Sequence, residues 1–240
     1  MNKRNLSLIP RIEEARESKK ILTPIHFSNE EIKKHFDDSV NIIKSQFNVA
    51  KTLLKGGDQE GCKMVWRSQI VLVEGLLDFY MHEVSKYCMF QMFCDNWEKT
   101  KKYKNFMVPM SNVEKAIKMA SSKDWFFEYL NDRFSRDVFL SADSMKDQLN
   151  MIGLGFANTM VKAFPSNNEN DSLNKGKEII EELFKRRNQI AHQNDRDHAT
   201  ATQMDITEEY VKEYIEKIEC IVTSIDEIIN EKDAIANCNL

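Results

Sequence analysis

The stretch FKRRNQIAHQND, residues 184–195, holds the side chains best suited to chemistry. Its spacing is that of a helix end, yet Arg187 stands where the pattern asks for an apolar residue. On a helix turning roughly 100° per residue, Ile180 lies about 20° from Arg187, Leu183 and Ala191 about 40°, and Ile190 about 60°. Arg187 therefore falls in the middle of the apolar face. Asn188 and His192 lie four residues apart along its edge, and Lys185, Arg186 and Gln189 fall on the outer side. A buried guanidinium without a partner is strongly unfavourable. Two kinds of partner are available. One is a carboxylate from elsewhere in the chain, and Glu74 and Asp78, embedded in apolar sequence, are the candidates for a supporting ion pair. The other is an external anion such as phosphate, which the planar guanidinium grips bidentately. On residues alone both stay open: a structural ion pair with a surface histidine, or a site joining a cation, an amide and a general acid/base. A metal site is the weaker reading, because His192 and His198 have no carboxylate at helical spacing.

The elements that must position this stretch read as helices. The chain has 240 residues with only 7 glycines and 4 prolines, which implies long elements and few turns. Ser28 and Glu31 form a capping box, and Ile32, Phe36, Val40, Ile43, Phe47 and Ala50 step by three and four behind it. Lys55-Gly56-Gly57-Asp58 ends that helix. The next, from about Gln59 to Asp95, is apolar almost all round and is expected at the centre of the domain. A basic connector follows, with Lys99, Lys101, Lys102 and Lys104 around Tyr103. Residues 111–134 read as one or two short helices plugged by Trp125, Phe126 and Phe127. Residues 142–164 read as a helical stretch weakened at Gly153 and Gly155. Helices at 174–192 and 207–231 are separated by a loop at 193–206, and Thr207 can cap the last one. With no strand pattern or internal repeat, the expected class is all-α: an antiparallel helical bundle. Its domain spans 28–232, with an N-terminal arm at 1–27 and a tail at 233–240.

Composition bounds the rest. Hydrophobic residues make up 42% and charged residues 30%, enough apolar material for a real core. A net charge of −4 gives no global attraction to nucleic acid, so any such role needs a local basic patch. Cys62, Cys88, Cys94, Cys220 and Cys238 form an odd set without a CxxC spacing, which points away from zinc or a disulfide framework and toward a reducing cytoplasm. The opening MNKRNLSLIPRIEEARESKK lacks the apolar core of a signal peptide, and Glu74, Asp78 and His82 interrupt the longest apolar run, so no membrane span is expected.

Arg187-Asn188-Gln189-Ile190-Ala191-His192 resembles the R-x4-6-H motif of HEPN domains in its R-N-x-I-A-H form. The context is similar too: in these helical bundles the motif closes a late helix, a loop follows, and a last amphipathic helix packs back. RSQIVLVEGLLDFYMHEV resembles their long early helix. Within the superfamily the likeness runs to the RiboL-PSP-HEPN group or a related one, over residues 28–232. The resemblance implies a metal-independent endoribonuclease without cofactor, of a kind often found in toxin–antitoxin or antiphage systems. It implies a homodimer in which motifs from two protomers face one cleft. Carried over, Arg187 and His192 are the catalytic pair and Asn188 the polar residue that follows the arginine. Lys185 and Arg186 beside the motif, and Arg196 and His198 in the loop after it, are the candidates for gripping RNA. The lysine run around Tyr103 is a second candidate grip, though a solvated loop is the favoured reading there. Trp66, Trp97 and Trp125 are expected in the core. A HEPN module that binds RNA or nucleotide without cutting, or that serves as a dimerisation scaffold, is the competing expectation, and a plain helical interaction protein is the third.

Overall fold

The computed structural model describes residues 25–119 and 122–238, which covers all of the expected domain except residues 120 and 121. The expected N-terminal arm lies almost wholly outside the described residues. Nine helices are present among those described, and no strands. Four are long: α1 (Asn29–Lys55), α2 (Gln59–Phe93), α8 (Glu169–Gln193) and α9 (Glu208–Cys238). The short ones between them are α3 (Lys101–Lys104), α4 (Met110–Lys118), α5 (Asp124–Phe134), α6 (Ala142–Met151) and α7 (Phe156–Ala163).

Local chemistry sets most of the boundaries. Ser28 Oγ accepts from the Glu31 amide at 3.2 Å, and the Glu31 carboxylate accepts from the Ser28 amide at 2.8 Å, closing the capping box. Gly57 turns the chain at φ 83°, a conformation that favours glycine, and Asp58 then caps α2 through the Gly61 amide. The apolar stripe of α1 is buried as its spacing predicts. The long α2 is the central helix and packs against α1, α9, α8 and α5. Trp66 and Trp97 are buried and Trp125 is half-buried, in keeping with core roles.

Three boundaries differ from the sequence expectation. The stretch at 142–164 divides into α6 and α7, because Gly153 and Gly155 adopt φ 82° and 74° and break the helical ladder. The polar segment before residue 174 is helical from Glu169, since the Asn168 side chain accepts from the Asp171 amide and starts α8 earlier. At the other end α9 runs on to Cys238, so most of the expected tail continues the helix. Asp233 anchors that extension, accepting from the Tyr87 hydroxyl at 2.8 Å and the Trp97 indole at 3.0 Å. Thr207 caps α9 as expected, its hydroxyl accepting from the Tyr210 amide.

No helix among the described residues is long and apolar enough to cross a membrane.

The α7–α8 contact places α8 against the bundle. A Cβ at Gly176 would come within 2.9 Å of Met160 Cβ and 2.5 Å of its sulfur. Gly176→Ala is therefore expected to destabilise the protein by about 1–3 kcal/mol through overpacking, despite alanine's better helix propensity. Urea titrations of the variant and wild type measure the difference, and an unchanged midpoint contradicts the close approach.

Candidate active site

Two arginines that are neighbours in sequence have opposite surroundings here. Arg186 is buried, although simple helical geometry puts it on the outer side. The segment after α8 folds back over it. Asn194 and Asp195 both take left-handed conformations, at φ 51° and 58°, which these two residue types tolerate better than most. The reversal carries Asp195 to full burial, where its carboxylate meets Arg186 from α8 and Arg67 from α2. Arg67 Nε donates to Asp195 Oδ2 at 2.7 Å and Arg186 donates to both oxygens. The guanidiniums also donate to the carbonyls of Met204 and Asp205, which ties the far end of the loop to the same point. Arg186 is thus unable to grip RNA as expected, because its donors are already engaged.

Arg187 is only partly buried, at the end of α8 where the apolar core runs out. Its terminal nitrogen donates to Asn188 Oδ1 at 3.0 Å, which draws the guanidinium toward the Asn188 edge. It makes no ion pair within 4.0 Å among the described residues, and its Nε is buried without a hydrogen-bond partner. The expected pairing with Glu74 or Asp78 is not made. Asp78 instead accepts from the Phe139 amide at 2.9 Å and lies 3.7 Å from His82. Glu74 is buried, close enough to Arg187 for its charge to be felt, and lies 2.8 Å from the Tyr214 hydroxyl. That hydroxyl has one proton, and it is also 2.7 Å from the Leu183 carbonyl, which can only accept. Both contacts are hydrogen bonds if Glu74 is protonated and donates to Tyr214. Burial pushes the Glu74 carboxyl up to about 7, against the opposing pull of Tyr214 and Arg187. A neutral Glu74 leaves the charge of Arg187 uncompensated.

His192 is exposed and has no hydrogen bond or ion pair to the chain among the described residues. By helical geometry it projects about 140° from Arg187, on the same line as Lys185, which is also exposed. The structure therefore brings Asn188 to Arg187 and leaves His192, one turn beyond Asn188 on the same helix, without a hydrogen bond to either. Arg196 donates to the Ala201 carbonyl and staples the loop at 194–206, while His198 stands exposed near its tip. The lysine connector is remote. Arg67 and Glu74 lie in the first half of α2, and Lys99–Lys104 follow its last residue, roughly 30 Å of helix further on. There Tyr103 is half-buried with its ring 6.4 Å from Phe126, and Lys99 and Lys102 pair with Asp95 and Asp147.

Arg67 and Asp195 are the residues that sequence reasoning missed. The signal was present for one: Arg67 interrupts VWRSQIVLV just as Glu74 interrupts the same helix, and the same question applies to it. Asp195, in a polar loop, carried no such mark.

Asp195→Asn is expected to cost roughly 3–5 kcal/mol, because it leaves two buried guanidiniums facing a neutral amide. Equilibrium unfolding measures this, and a loss near zero contradicts the burial of the triad. Glu74 contributes in the opposite sense to an ordinary carboxylate. Its folded pKa is raised above the usual carboxylate range, so its stabilising contribution is present at acid pH and lost as pH rises toward and through 7. The loss is of order 3 kcal/mol. Glu74→Gln keeps a donor to Tyr214 and is expected to flatten that decline, read as thermal melting between pH 5 and pH 8. A parallel decline in both proteins argues against a protonated Glu74.

The chain matches the family model RiboL-PSP-HEPN over residues 25–231, which takes in every helix from α1 through α8 and most of α9. No curated protein and no solved structure matches it. The match covers the helical bundle and the motif at the end of α8 together, and the chain belongs to the RiboL-PSP-HEPN family.

Proposed function

We propose that the protein is a metal-independent endoribonuclease acting through Arg187, Asn188 and His192. The observation that carries this reading is the state of Arg187. Its guanidinium has no carboxylate within 4.0 Å among the described residues, its Nε lacks an acceptor, and burial raises the nearby Glu74 carboxyl to about 7, so that it is mostly neutral below that pH. A phosphate could supply the anion that this guanidinium lacks. In the proposed reaction the ribose 2′-hydroxyl loses its proton to a base and attacks the adjacent phosphorus. The P–O5′ bond breaks, and the leaving 5′-oxygen gains a proton. The products are a 2′,3′-cyclic phosphate, which water opens to a 3′-phosphate, and a 5′-hydroxyl. His192 is suited to the proton transfers and Arg187 to the charge that gathers on the phosphorane. Asn188 orients Arg187 through its 3.0 Å contact.

One exposed histidine set about 140° from its arginine is poorly arranged to serve both sides of an in-line displacement. A homodimer supplies a second motif and a composite cleft. Support comes from α2, where Leu72 and Phe79, seven residues apart on one helical face, remain half-exposed and are apolar groups that a second copy would cover. Lys185, Arg196 and His198 are the groups proposed to hold RNA near the cleft. A toxin or antiphage effector acting in the cytoplasm, with an antitoxin or defence-system partner, is the biological setting that fits such an activity.

Labelled RNA, including a tRNA pool, incubated with EDTA tests the proposal. Wild type is expected to cut and to leave cyclic-phosphate ends. His192→Ala and Arg187→Ala are expected to lose about 10²–10⁴-fold in rate. Equal cutting by wild type and His192→Ala, or no cutting of any RNA, rejects catalysis in favour of a module that binds without cleaving.

A further inference from the structure

The exposed line of α8 that carries His192 borders a groove of about 510 Å³. Its walls are Glu182, Lys185 and Gln189 on α8, Asp205 and Thr207 at the end of the loop, and Tyr210 on the first turn of α9. Gln189 is three residues before His192 and therefore a surface neighbour of it on the same helix. The groove is built on fixed ground. Arg186 at its base is clamped by Asp195, and its guanidinium lies 5.7 Å from the centre of the Tyr210 ring, while Ile206 beside it is buried.

The chemistry of the rim is uneven. Glu182 and Asp205 offer carboxylate oxygens, which accept hydrogen bonds and repel bare phosphate. Asp205 is already paired with Lys63 at 2.8 Å, whereas the exposed Glu182 is only loosely held, 3.7 Å from Lys217. Glu182 is the acceptor left available. A carboxylate matches the adjacent N1–H and exocyclic N2–H of guanine with two hydrogen bonds. Adenine and cytosine offer it a single amino group, and uracil flanks its one N–H with two carbonyl oxygens that repel it. The Tyr210 ring and the Met204 and Ile206 side chains in the lining suit a flat ring, and Lys185, on the His192 line, suits the phosphate joined to it.

We propose that this groove seats a guanine base of the RNA, with Glu182 reading its N1–H and N2–H edge and Gln189 and Tyr210 lining the seat, on the His192 side of the phosphate that is cut and across α8 from Arg187. The inference deepens the ribonuclease reading and rests on it for where the RNA is cut, but base binding itself does not need catalysis. The test therefore has two arms. In the first, wild type and Glu182→Gln are titrated with GMP, AMP, CMP and UMP and followed by NMR. GMP is expected to bind wild type most tightly, and Glu182→Gln, a surface change, is expected to weaken GMP about tenfold while leaving UMP unchanged. In the second, cleavage sites are mapped on a random-sequence RNA. Wild-type cuts are expected beside guanines and Glu182→Gln cuts are expected to lose that bias. Equal binding of GMP and UMP, or a guanine preference that survives Glu182→Gln, overturns the proposal. Cleavage without base bias also overturns it while leaving the ribonuclease reading intact. Guanine-selective binding without any cleavage supports the groove and rejects the ribonuclease.

Discussion

A single carboxylate shared by two buried guanidiniums organises the end of this protein that carries the candidate site. Asp195 joins α2 through Arg67, α8 through Arg186, and the loop through its own backbone, all within one hydrogen-bonded cluster. Charged groups taken from water are tolerated only when their partners are complete. Here the carbonyls of Met204 and Asp205 take up further donors of the two guanidiniums. The position of α8 relative to α2, the path of the loop, and the start of α9 all follow from satisfying that cluster. The groove between α8 and α9 exists because the chain must travel over Arg186 to do so.

The same cluster sorts two adjacent cations into different roles. Arg186 is bound on all sides and contributes structure. Arg187, one position on, has near it a carboxyl whose ionisation burial disfavours, and it has no carboxylate within 4.0 Å among the described residues. Had Glu74 been ionised and in contact, Arg187 would be one half of an ordinary internal pair. Desolvation of one glutamate thus decides whether the neighbouring arginine is spent or available.

Most of the fold was legible because it follows from periodicity and capping. The α1 stripe, the Ser28–Glu31 box, the Gly56–Gly57 turn and the apolar belt of α2 each rest on interactions within a few residues. The early start of α8 was missed because a polar segment looks like a loop until Asn168 is recognised as a cap. The extension of α9 was missed because Asp233 earns its place through Tyr87 and Trp97, about 140 residues away in sequence. Within the site, Arg187 was found by asking what a charge does in an apolar stripe. Arg186 was misplaced because a helical wheel treats everything off the apolar face as solvent, and here a loop covers that flank. Glu74 was singled out as a charge in apolar sequence, but its expected pairing with Arg187 is not made, since only the fold reveals that Tyr214 reaches it first.

The loop at 194–206 shows how stiffness is distributed near the motif. Its base is fixed by the arginine cluster. Further out, Arg196 and Gln203 form a short antiparallel bridge, and the Asp197 carboxylate accepts from the amides of Ala199 and Thr200 to close the tip. Lifting the base would strand two positive charges in an apolar setting, so the segment has little freedom to swing open. It is better described as a wall than as a gate. In the proposed reading, a substrate reaching His192 would meet a wall whose shape is already set, and selectivity there would come from fit instead of closure.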